Sequence, residues 1–120
     1  MESGIKVGDL MTRNFIYTGP ETNLRDCARL MVKKKVGSLV IKKDYRLLGI
    51  LTEKDILWAV VKKSQKDLST ILAKDLMKRK VITIKPSADI TDAMEKFRKK
   101  KIRRLPVVEN GKIIGFLTTK

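Results

Sequence analysis

Gly49-Ile50-Leu51-Thr52-Glu53-Lys54-Asp55 decides how the rest of this chain is read. The apolar run Leu47–Leu51 ends there as a strand, and Thr52 turns the chain. The spacing beyond it predicts a helix with Asp55 in its first turn and with Ile56, Leu57 and Val60 buried. A hydroxyl and a carboxylate three residues apart at a helix start can point the same way at a ligand. Unpaired N–H groups at such a start also favour an anion such as phosphate. The same two residues suit a helix N-cap with an acidic first turn, which needs no ligand.

The stretch has a partner 66 residues later, Gly115-Phe116-Leu117-Thr118-Thr119-Lys120. Around it, Asp9–Lys54 aligns without a gap on Asp75–Lys120, with 15 identities in 46 positions. Asp9-Leu10-Met11 meets Asp75-Leu76-Met77, Pro20 meets Pro86, and Lys33-Lys34-Lys35 meets Lys99-Lys100-Lys101. Apolar positions keep their character (Leu24/Ile90, Met31/Phe97, Val36/Ile102), so the chain is a tandem duplication.

Each copy carries the same elements. A helical turn ends at Asp-Leu-Met, and a short extended piece (Phe15–Tyr17 or Val81–Ile84) leads to a proline. Asn23 or Asp89 then caps a helix running to about Lys35 or Lys101. Its apolar face is Leu24, Cys27, Ala28 and Met31, or Ile90, Ala93, Met94 and Phe97. Two strands come next, Ser38–Lys42 with Leu47–Leu51 and Leu105–Glu109 with Ile113–Leu117, the second pair joined by Asn110-Gly111. The first copy closes with a helix from Glu53 to about Lys62, and polar Lys63–Ser69 connects the copies. The expected fold is α/β in the α+β sense: two β-α-β-β-α repeats, residues 7–66 and 73–120, packed about a pseudo-twofold axis. The second lacks its closing helix, as a truncated chain would. Such packing predicts two equivalent clefts between the repeats.

Composition narrows the function. The chain has no histidine and one cysteine, Cys27, which removes Ser–His and Cys–His catalysis and any ordinary zinc site. Cys27 lies on the apolar helical face, as a structural thiol does. No apolar run is long enough to cross a bilayer, and Met1–Asp9 has no secretory core, so a cytoplasmic, non-membrane protein is expected. The net charge of +15 favours anionic partners, nucleotides or nucleic acid, although abundant lysine also suits a thermophile surface.

The repeat, the element order and two motifs in register resemble a tandem pair of cystathionine β-synthase (CBS) domains, the Bateman module. Gly49–Asp55 fits the family's ribose-phosphate motif throughout. Ile102-Arg103-Arg104-Leu105-Pro106-Val107-Val108 fits its helix-to-strand motif, whose first copy at Val36-Gly37-Ser38 lacks the proline. The resemblance implies a non-catalytic, energy-sensing module that binds AMP, ADP, ATP or S-adenosylmethionine, needs no cofactor, and pairs as a homodimer, with Trp58 in the core or at that interface. It implies one cleft with Thr52 and Asp55 on phosphate and ribose and with Ile82, Ile102 and Arg103 beside adenine. It implies a second with Thr118 and Arg104, opposite Ile16, Val36 and Gly37; the counterpart of Arg104 in the first repeat is Ser38, which cannot fork onto phosphate. The second motif lacks its acidic residue after Lys120. The basic clusters Lys42-Lys43, Lys78-Arg79-Lys80 and Lys99–Arg104 support nucleic-acid binding as the alternative, against only 5% aromatic residues.

Overall fold

In the computed structural model, which describes residues 2–63 and 67–119, the elements run in the order the duplication predicts. They are α1 (Val7–Leu10), β1 (Tyr17–Thr18), α2 (Leu24–Lys34), β2 (Ser38–Lys43), β3 (Arg46–Thr52), α3 (Glu53–Lys62), a 3-10 turn (Leu68–Thr70), α4 (Ala73–Leu76), α5 (Ile90–Lys100), β4 (Arg104–Glu109) and β5 (Lys112–Thr118). The middle of the expected connector, residues 64–66, lies outside the described residues, and so does Lys120.

The chain forms two compact units whose limits differ from those of the sequence repeats: Ile16–Val81, and Met1–Phe15 with Ile82–Lys120. Within the first, Asn23 accepts from the Asp26 N–H at 2.9 Å and starts α2. Lys35 ends α2 in the left-handed region (φ 56°), its N–H turned back to the Met31 and Val32 carbonyls. β2 and β3 form an antiparallel hairpin pairing Ser38 with Thr52 and Ile41 with Gly49, and β1 runs parallel to β2. Leu39, Ile41 and Leu51 point to one face by strand alternation and meet Leu24, Cys27 and Met31 of α2, with Ile56 and Ala59 of α3.

In the second unit Asp89 caps α5, Lys101 ends it at φ 54°, and β4 pairs with β5 as Arg104↔Thr118 and Val107↔Gly115. Asn110 (φ 52°) and Gly111 (φ 78°) make the tight turn that this dipeptide predicts. The extended piece before α5 pairs only at Ile84, a parallel bridge to Val107. Val7, Ile84, Ala93, Leu105, Val107 and Leu117 form the core.

The differing limits come from α1 and α4. Each opens its own repeat in sequence and completes the unit of the other. The Val7 and Gly8 N–H groups donate to Ala88 and Pro86 carbonyls at 2.9 Å, and Thr12 pairs with Phe116. The same contacts recur 66 residues away: Ala73 and Lys74 donate to Thr22 and Pro20, and Lys78 pairs with Ile50.

Two expectations about apolar faces need correction. Only Ile56 and Ala59 of α3 are buried, whereas Leu57 is 62% and Val60 46% exposed. α3 is apolar on every side, so periodicity could not choose its inward stripe. Met94, expected on the core face of α5, is 61% exposed, since Ala93 takes the inward position.

Candidate functional site

Thr52 is both the last residue of β3 and the N-cap of α3. Its hydroxyl accepts from the Asp55 N–H at 3.4 Å, and its own N–H donates to Asp55 Oδ2 at 2.8 Å, closing a capping box. The Thr52 hydroxyl also donates to Oδ2 at 3.1 Å. Asp55 Oδ1 receives the Lys78 ammonium at 2.8 Å, with the Asp55 side chain 15% exposed and that of Lys78 62%. Both carboxylate oxygens are therefore engaged, one by the helix start and one by an exposed cation.

Around this junction the unit gathers six residues singled out from the sequence. Ser38 pairs with Thr52, and the Gly37 carbonyl accepts the Glu53 N–H at 3.0 Å. A Cβ at Gly37 would stand 3.2 Å from Glu53 Oε1, so the chain approaches closely here. The Val36 N–H closes on Met31, and Ile16 accepts from the Val40 N–H two residues beyond Ser38. Ile16, Val36, Gly37, Ser38, Thr52 and Asp55 thus lie at one end of one small sheet. The hairpin register sets Val36 and Gly37 close to Thr52 in this unit. The N–H groups expected to be unpaired are also partly used: Glu53 by Gly37, Asp55 by Thr52.

The other unit repeats the junction with different side chains. The Thr119 N–H donates to the Arg103 carbonyl at 3.0 Å, and Arg104 pairs with Thr118. Ile82 and Ile102 pack on the core beside it. Two exposed guanidinium groups stand where the first unit has Gly37 and Ser38. A cavity of about 700 Å³ in this unit lies at the opposite, turn end of β4, lined by Thr83, Lys85, Asp92, Glu95, Lys96 and Asn110 among others, and none of the sequence-selected residues borders it.

Among the described residues no group of His, Cys, Asp and Glu could hold a metal ion, and no helix is long and apolar enough to cross a membrane. Cys27 is buried, and burial, with Asp26 nearby, pushes its thiol up to about 11. Sequence reasoning missed Lys78 as part of the site. The duplication carried its only signal, because Lys78 aligns with Thr12 and both come after a Leu-Met pair.

Fold and junction define a tandem α+β repeat protein. The CBS-domain family model matches residues 7–62 and 73–120, and the chain belongs to that family. It is 35% identical over 117 residues to an uncharacterized protein of Methanopyrus kandleri, covering 95% of this chain and 59% of that one. It is 35% identical over 107 residues to inosine-5'-monophosphate dehydrogenase of Thermoplasma acidophilum, covering 88% of this chain but 20% of the dehydrogenase. The chain thus spans less than two thirds of the length of these relatives. A solved structure of CBSX2, a CBS-pair protein of Arabidopsis thaliana, in complex with AMP superposes with a TM-score of 0.84 at 35% identity, covering 96% of this chain and 90% of that one.

Proposed function

We propose that this chain is a non-catalytic regulatory module that binds an adenosine-containing ligand at the β3–α3 junction. One observation carries the reading: the complete Gly49–Asp55 motif sits as a built junction in a chain whose structural neighbour is a complex with AMP. Asp55 would accept the ribose hydroxyls, since one carboxylate can take two hydrogen bonds from a cis-diol. Thr52 would meet phosphate, and Ile16 and Val36 offer apolar surface to the base. AMP, ADP, ATP and S-adenosylmethionine share the moiety required. Arg104, Arg103 and Thr118, with Ile82 and Ile102, would form the counterpart of the second repeat, where a guanidinium fork suits phosphate oxygens. Occupancy would shift the populations of packing states, and that shift is the signal. A cytoplasmic homodimer is part of the proposal, supported by Leu57, Trp58, Val60 and Val61 exposed together on α3.

Calorimetry with the four adenosine ligands and a short DNA duplex, at two salt concentrations, tests this. One ligand should bind tolerantly to salt, and Asp55→Ala should weaken it by about 1–3 kcal/mol through loss of buried hydrogen bonds. An unchanged dissociation constant removes Asp55 from the site. Heat only with DNA, vanishing at high salt, would replace the proposal with nucleic-acid binding.

A further inference from the structure

We propose that Lys78 is the specificity determinant of this site: it occupies the ribose-accepting oxygen of Asp55 and yields it preferentially to a nucleoside that carries a phosphate. The inference rests on the reading of Asp55 as the ribose acceptor, and on the geometry of the junction.

Lys78 is fixed at its backbone, while its side chain is 62% exposed. Its N–H donates to the Ile50 carbonyl at 2.9 Å, and the Ile50 N–H donates to its carbonyl at 3.0 Å, which aligns it along β3 two residues before Thr52. The ammonium meets Asp55 Oδ1 at 2.8 Å. Oδ2 is held by the Thr52 N–H and hydroxyl, so vacating it would uncap α3. Oδ1 can be vacated by rotating one exposed lysine stem. A diol that reaches Asp55 therefore replaces Lys78.

The balance of that exchange depends on the ligand's charge. A neutral nucleoside leaves the ammonium with water alone, and the lost ion pair counts wholly against binding. A phosphate on the same ligand gives the displaced ammonium a new anion within the length of its flexible stem. The cation thus disfavours adenosine and spares AMP. The duplication supports a role particular to this junction. The equivalent position in the other unit is Thr12, held by the same backbone pairing to Phe116, and there the cations are Arg103 and Arg104. Each junction draws its positive charge from a different element.

The test is calorimetry of adenosine and AMP on the wild type, Lys78→Met, Lys78→Arg and Lys80→Met, the last matching the loss of charge at an exposed neighbour. Lys78→Met should tighten adenosine by up to about fivefold, the scale of one exposed ion pair, and leave AMP nearly unchanged, because the phosphate contact it loses offsets the ion pair that no longer has to break. Lys78→Arg should keep the preference for AMP, and Lys80→Met should leave the ratio of the two affinities unchanged. Equal changes for both ligands in Lys78→Met overturn the proposal while leaving the adenosine site standing, provided Asp55→Ala still loses AMP. If neither ligand binds the wild type, or Asp55→Ala loses nothing, the site and the role of Lys78 fall together.

Discussion

Gly49 keeps its place because of what lies over it. A Cβ there would stand 2.7 Å from the Lys78 carbonyl oxygen and 2.8 Å from Met77 Sδ. Gly115 is pressed the same way, 2.9 Å from the Thr12 carbonyl and 2.6 Å from Met11 Sδ. The glycine of the ligand motif is thus a packing requirement: it lets the segment after Asp-Leu-Met lie against the strand. Gly49→Ala should destabilise by about 1–3 kcal/mol in urea unfolding, because backbone has to move; a change below about 0.5 kcal/mol would mean the segment shifts freely. The motif was legible in the sequence, but this reason was not, since the partner atoms lie almost thirty residues away with no periodic signal. Cys27 was legible as a buried thiol, and its pKa turns that into a pH effect. Its folded value of about 11 lies above the ordinary thiol value of 9.0, so its contribution is complete below pH 9 and lost as pH climbs toward 11. The difference between wild type and Cys27→Ala is the quantity to follow. That difference should shrink by roughly 2 kcal/mol across the window; parallel curves would show that the thiol ionises as freely folded as unfolded.

At the scale of elements, local chemistry was a good guide wherever the decisive residues were neighbours. Asn23 and Asp89 cap the helices expected of them, the lysine triplets end those helices, and Asn110-Gly111 turns its hairpin. α3 was harder, because Leu57, Trp58, Val60 and Val61 give it no polar face to set against its apolar one. The exchange of α1 and α4 between units was not legible either, since a four-residue turn carries no mark of the strand it joins. Asp89 secures one of those exchanges. It is 3% exposed, caps α5 through the Thr91 N–H at 2.9 Å, and also accepts from the Ser3 and Gly4 N–H groups at 3.1 Å. The Thr91 hydroxyl and N–H, then Ser3 and Gly4, hold its carboxyl well below the usual carboxylate range, against the opposing effect of burial. A depressed carboxyl stabilises above its unfolded value, near 4, and loses that contribution as pH falls toward its folded value. Asp89→Asn keeps a capping acceptor, as Asn23 does, but loses the charge-assisted bonds. It should melt a few degrees lower at neutral pH, exchange the Gly4 amide faster, and show a shallower acid limb. Acid limbs running parallel in variant and wild type would leave the carboxylate without a part in anchoring the N-terminal segment.

For the whole molecule the dominant quantity is charge. Four ion pairs join described residues, and in three of them both partners are well exposed, at Asp26–Arg29, Glu21–Lys74 and Glu95–Lys99. Such pairs contribute little, and pairing leaves the net +15 unchanged, so the folded chain repels itself. Added salt should therefore raise the melting temperature, most steeply at low ionic strength where the screening length changes fastest. The identity of the anion then separates general screening from the proposed phosphate sites. At equal ionic strength, sodium chloride and sodium phosphate should act alike if only screening matters. Phosphate should stabilise further if Arg103 and Arg104, or Lys78 and the α3 start, hold it, because a ligand of the folded state adds its own binding free energy. We expect an excess for phosphate that Arg104→Ala reduces, with the chloride curve of that variant unchanged in shape. Equal curves for both salts in the wild type would make the charge a property of the surface alone, and a melting temperature that falls with salt would show that attractive pairs outweigh the repulsion.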